Sequence, residues 1–161
     1  MINRLVFLFS LCFLMAGCAK SDSGSSCTYS ISTVVVPASE MSVLQAYVAA
    51  SRPAAILDPG GFYYEVIAGG TGTVTPSVCT AVTVKYAGYL TNGFKFDEAV
   101  LPVQFALGGL IVGWQRGLPL IKAGGSINLY LPPSLGYGAS GTNTIPGNAI
   151  TIFTIDLVGV L

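Results

Sequence analysis

The stretch VKYAGYLTNGFKFD, residues Val84–Asp97, decides how this chain folds. Its first half belongs to TAVTVKYAGYL (Thr80–Leu90), where Val82, Val84 and Tyr86 fall at every second position. A period of two sets those side chains on one face of a strand. Thr91-Asn92-Gly93 follows, small and polar and ending in glycine, which reads as a hairpin turn. The chain then returns through Phe94 and Phe96, two apart, to a lone carboxylate, Asp97. There is no histidine anywhere in the sequence. Chemistry centred on Asp97 would have to run without a histidine-activated nucleophile.

Working outward, the texture stays mostly β. GFYYEVIAGG (Gly61–Gly70), GSINLYLP (Gly125–Pro132) and AITIFTIDLVGVL (Ala149–Leu161) read as strands, and PVQFALG (Pro102–Gly108) as a short extended piece. LIVGWQRGL (Leu110–Leu118) is a two-turn helix with Ile111, Trp114 and Leu118 on one side. A second helix covers SEMSVLQAYVAA (Ser39–Ala50). Leu44, Tyr47 and Val48 are at helical spacing, Ser39 is the expected N-cap, and Pro53 limits the far end. DPGG (Asp58–Gly61) is a turn. PSLGYGASGTNTIPGN (Pro133–Asn148) is a long Gly- and Ser-rich loop, of a length that is usually functional or disordered. The sum is an α+β domain: an antiparallel sheet with one short helix packed across it, preceded by the other helix.

Composition narrows the partners. The 161 residues suffice for one domain with a real core. Charged residues make up 9%, against about 25% in ordinary soluble domains. The formal net charge is zero, which leaves no basic field for nucleic acid. Asn3-Arg4 followed by LVFLFSLCFLM (Leu5–Met15) is a targeting segment. LMAGC (Leu14–Cys18) resembles the lipobox of bacterial lipoproteins, which implies a signal peptide over 1–17, acylation of Cys18 and a membrane anchor. An ordinary secretory signal with a chance cysteine is the plainer alternative. Residues 18–38 read as a lipidated flexible tether and 39–61 as the N-terminal helix and turn. Cys27 and Cys79 then remain, an even pair in an oxidising compartment, and are expected to form a disulfide. Two thiolates without histidine do not fill a zinc shell, so no metal and no cofactor is expected.

The landmarks also have an order. VKYAGYLTNGFKFD, LGGLIVGW (Leu107–Trp114), LGYGASG (Leu135–Gly141) and TIPGNAITIFTIDLVGV (Thr144–Val160) together resemble the FK506-binding family of peptidyl-prolyl isomerases. The resemblance spans residues 62–161. It implies a half-barrel of antiparallel strands wrapped round one short helix, with a hydrophobic pocket for a substrate proline. In that likeness Trp114 is the pocket floor and Tyr86, Phe96, Ile111 and Phe153 its walls. Tyr137 offers a hydroxyl to a substrate carbonyl, and the Ile111 N–H is a second donor. Leu110 and Ile145 are rim residues. Asp97, held by Tyr86, presents a polar group to the twisted amide.

Three departures stand out. The stretch from Asp97 to Pro102 is short and holds no arginine to support the carboxylate. Val103 stands where a phenylalanine often lines the pocket. Thr142 replaces a common histidine in the 133–148 flap. The function implied is isomerisation of X–Pro bonds in exported polypeptides, with FK506-type macrolides as possible ligands and an outer-membrane site facing the periplasm. A non-catalytic peptide-binding chaperone on the same scaffold and a structural surface β-module are the alternatives.

Overall fold

The computed structural model describes residues 27–161. The expected signal peptide, Cys18 and the start of the tether lie outside those residues. Six strands form one antiparallel sheet: β1 (Ile56–Asp58), β2 (Phe62–Ala68), β3 (Ala81–Leu90), β4 (Lys95–Ala106), β5 (Gly125–Leu131) and β6 (Thr151–Val160), in the order β1-β2-β5-β6-β3-β4. Two α-helices accompany it, α1 (Ala38–Ser51) and α2 (Val112–Gly117). The expected α+β class and the antiparallel sheet are what the structure shows.

The central hairpin forms where the alternation places it. Val82 and Val84 are buried on β3, and the turn closes with the Leu90 N–H on Phe94 O and the Gly93 N–H on Leu90 O. Gly93 has φ +85°, a conformation that side chains rarely adopt. β4 is longer than expected. It runs from Lys95 to Ala106 without a break, and the extended piece at Pro102 is its second half. Its register shifts where Val84 faces Val103 but Tyr86 faces Ala99. Residues 100–102 therefore bulge opposite Lys85, which leaves Val100 and Leu101 exposed at the sheet edge.

The alternation of β5 separates two cores. Ile127, Leu129 and Leu131 face α2, together with Phe62, Val84, Trp114, Leu118, Phe153 and Ile155. Tyr130 faces the other way, with Tyr63, Ile150 and Ile152 against Leu44 and Val48 of α1. Helix α2 approaches β5 very closely. A methyl at Gly113 would overlap Leu131, and one at Gly117 would overlap Leu129. Two glycines four apart, on one helical face, thus bring the helix down onto the sheet.

Helix α1 starts one residue before the expected cap. Its N-cap is Pro37, whose carbonyl accepts the Met41 N–H, while Ser39 sits inside the first turn and its carbonyl accepts from Ser42. Pro37 is extended (φ −60°, ψ 142°), and the helix winds directly after it. The long loop is not structureless. A 3-10 turn, Pro133–Leu135, opens it, and the Gly138, Gly141 and Asn148 N–H groups are bonded to Pro133 O, Tyr137 O and Gly138 O. Residues 27–36 have no regular structure, yet they lie against the domain. Cys27 is bonded to Cys79, with Cα atoms 5.4 Å apart. Among the described residues no helix is long and apolar enough to cross a membrane.

Candidate active site

Between α2 and the concave face of the sheet lies a cleft of about 180 Å3. Its lining comes from β3 (Tyr86), β4 (Asp97 and Phe105), the entry to α2 (Leu110, Ile111, Trp114), the 133–148 loop (Tyr137) and β6 (Phe153). The aromatic rings meet edge to face. Trp114 stands 5.1 Å from Tyr86 and 5.3 Å from Phe153 between centroids, with interplanar angles of 82° and 88°. Phe105 completes the group 6.5 Å from Trp114. Such pairs interlock through the positive ring edge on the negative ring face, which fixes the shape of the cleft as well as its polarity.

Polar groups are few and placed at the edge. The Tyr86 hydroxyl donates to Asp97 Oδ2 at 2.7 Å. Burial, that hydrogen bond and the carboxylate charge together hold the Tyr86 hydroxyl well above the ordinary tyrosine range. Burial first, then the charge of Asp97, raises Tyr137 in the same direction. Both phenols therefore stay protonated donors at neutral pH. The N–H of Ile111, at the N-cap of α2, has no acceptor among the described residues, as is usual at a helix start. The indole Nε1–H of Trp114 is buried and likewise has no protein acceptor.

The structure brings Tyr86, Asp97, Leu110, Ile111, Trp114, Tyr137 and Phe153 to the cleft. Phe96 stands behind it, edge to face with Phe153 at 5.5 Å and with Tyr137 at 6.1 Å. Besides Phe96, expected as a wall, two more expected residues are not in the lining. Val103 is half-buried against the core. Ile145 is buried at 3% exposure, with its carbonyl taking the Thr142 N–H to close the flap. Phe105 supplies the ring that Val103 lacks. It is two residues on, on the same face of β4, opposite Val82, and the alternation Val103–Phe105 was the signal for it. Gly88 is the other silent contributor. A methyl there would lie 2.6 Å from the Phe96 ring and 3.0 Å from that of Phe153. Wider grooves exist elsewhere, one of about 580 Å3 lined by Tyr47, Arg52, Glu65, Asn128 and Tyr130 on the α1 side of the sheet. Size alone does not make those the site, because none gathers an apolar floor of interlocked rings.

Residues 72–158 match the model of the FKBP-type peptidyl-prolyl cis-trans isomerases, more than half of the chain. The chain belongs to the FKBP family. It is 40% identical over 103 residues to FKBP-type peptidyl-prolyl cis-trans isomerase FkpA of Escherichia coli (strain K12), an alignment that covers 62% of this chain and 38% of that one. To FkpA of Buchnera aphidicola subsp. Schizaphis graminum it is 41% identical over 103 residues, covering 62% and 41%. The chain thus spans about two fifths of the length of these relatives. Its structure superposes on the crystal structure of Escherichia coli FkpA with a TM-score of 0.68 at 33% identity, covering 76% of this chain and 58% of that one. A peptidyl-prolyl cis-trans isomerase from Pseudomonas syringae pv. tomato gives the same TM-score at 26% identity, covering 80% and 98%. In this FKBP domain the cleft lies entirely within the matched residues.

Proposed function

We propose that this protein catalyses cis–trans isomerisation of X–Pro bonds in exported polypeptides, held to the cell envelope by lipid on Cys18. The observation that carries the reading is the cleft, where edge-to-face rings form an apolar floor and the few polar groups stand at its edge. No covalent bond changes in this reaction. The barrier is the loss of amide resonance, about 18–20 kcal/mol. Water stabilises the planar, charge-separated amide. Rings of Tyr86, Phe105, Trp114 and Phe153 around the prolyl group replace that water and favour the less polar twisted amide. Asp97, the Tyr137 hydroxyl and the Ile111 N–H then hold the flanking peptide in the twisted geometry. Each 1.36 kcal/mol removed from the barrier is a tenfold rate gain.

The lipobox-like LMAGC supports the lipid anchor; the outer membrane facing the periplasm, as the compartment, rests on the family resemblance alone. X–Pro exchange without a catalyst takes tens to hundreds of seconds and limits the folding of many chains, which gives an envelope isomerase its use. Refolding of a protein with a proline-limited slow phase tests the activity. That phase should shorten in proportion to added enzyme, and an unchanged phase would refute the reading. Fractionation tests the anchor: Cys18→Ser should move the protein out of the membrane fraction, and a variant that still sediments with membranes in salt would show that the lipobox reading is wrong.

A further inference from the structure

We propose that residues 27–34 form a brace that positions the Leu110–Trp114 segment of the cleft, and that the Cys27–Cys79 bond makes this hold depend on thiol oxidation. The inference takes its activity readout, though not its geometry, from the isomerase reading. Three contacts support it, and they fall on both sides of the segment that lines the cleft.

On the near side is a 3-10 turn, Leu107–Gly109, that leads directly into Leu110. Both chain neighbours of Cys79 hold it: the Leu107 N–H donates to Thr80 O at 3.0 Å and the Gly108 N–H to Val78 O at 3.1 Å. Tyr29 holds the same glycine, beside Val78 O. It packs so tightly on Gly108 that a methyl there would overlap its ring. Cys27, two residues before Tyr29, is covalently tied to Cys79. The turn is therefore held by two pieces of chain that a single disulfide ties together. On the far side, Arg116 lies two residues past Trp114 on α2. Its guanidinium donates to Ser32 O at 3.1 Å, Val34 O at 2.7 Å and Gly60 O at 2.6 Å. One guanidinium thus fastens the brace to the helix that carries the floor of the cleft.

Cys27 and Cys79 belong to no part of the lining, so reduction alters no group that would touch substrate. It acts on the hold alone. A dithiol reductant gives two electrons and two protons; the S–S bond breaks to two thiols, and the reductant becomes a disulfide. Tyr29 is then kept on Gly108 by packing only, at 44% exposure. The Leu110–Ile111 rim, now without the covalent tie behind Tyr29, should sample more conformations, and substrate binding should weaken before the chemical step does.

Amide hydrogen exchange and peptide kinetics on the full chain test this, comparing the oxidised protein, the dithiol-reduced protein, Tyr29→Ala and Tyr29→Phe. Exchange over residues 107–114 should rise about tenfold on reduction and in Tyr29→Ala while β5 and β6 stay protected, because local opening is independent of the global core. KM should rise severalfold with kcat changed less than twofold, and Tyr29→Phe should restore the parent values. Exchange that rises only over residues 27–36, with KM unchanged, would overturn the brace. So would a uniform rise across β5 and β6, which is loss of stability alone. An oxidised parent without turnover would remove the isomerase reading, and exchange over residues 107–114 would then decide the brace by itself.

Discussion

Tyr86 and Asp97 share one hydrogen bond across the central hairpin, and the bond sets the polarity of the cleft edge. Asp97 is exposed, so its side chain contributes little to folding. Asp97→Val should therefore lower kcat/KM by roughly a hundredfold, the low end of the scale of losing one positioned polar group. Stability should change by no more than about 1 kcal/mol, the worth of the hydrogen bond; stopped-flow peptide assays and thermal melts separate the two. The tyrosines make a second prediction. A folded-state pKa raised above the unfolded value near 10 gives stability that is full below about pH 10 and is lost as pH rises through the folded value. Tyr86 and Tyr137 are both raised, and the chain has no histidine. Activity should be flat from about pH 6.5 to 9.5, and an inflection in that window that disappears in Tyr137→Phe would contradict a raised Tyr137. At this scale the sequence was legible wherever spacing set position. The hairpin fixes Tyr86 against Asp97; the expected helix over Leu110–Leu118 is shorter, Val112–Gly117, with Ile111 as its N-cap and Leu118 in a following 3-10 turn, but the spacing of Ile111 and Trp114 still places both at the cleft. Val103 and Phe105 were harder. Both point inward from β4, and which of them reaches the cleft depends on how far a bulge at residues 100–102 shifts the strand.

Helix α1 belongs to the outer face of the sheet. Leu44 is fully buried there and Val48 nearly so, against Tyr63, Tyr130, Ile150 and Ile152. Leu44→Ala should cost about 2–5 kcal/mol, through lost burial and the cavity left behind. The cleft is on the opposite face, so kcat/KM should remain within about twofold of the parent at temperatures where the variant is folded. Denaturant titration beside an activity assay checks both halves of that statement. The period of Leu44 and Val48 announced the helix. Its first residue was not legible, because Ser39 is the better cap by chemistry while Pro37 sets the backbone that starts the helix. Strand β1 left no signal at all. Its three residues are extended because they pair with Phe62–Tyr64, a contact with no period of its own.

At the scale of the molecule, the sheet order β1-β2-β5-β6-β3-β4 puts β3 and β6 side by side, so that Tyr86 and Phe153 converge over Trp114. The cleft is thus assembled from strands and a helix far apart in sequence. The four motifs showed this assembly through their order along the chain, and the sheet shows why that order suffices. The course of residues 27–36 was the opposite case. The cysteine count announced the Cys27–Cys79 tie, but the Tyr29 ring on Gly108 and the Ser32 and Val34 carbonyls on Arg116 follow no strand or helix period. Everything proposed for this cleft requires that it lower the barrier to rotation about an X–Pro bond. Exchange between cis and trans forms of a proline tetrapeptide, followed by NMR with the purified protein, tests it directly. The account predicts an exchange rate that rises linearly with protein concentration and collapses in Trp114→Leu. Exchange that stays at the uncatalysed tens to hundreds of seconds, at every protein concentration, would contradict it.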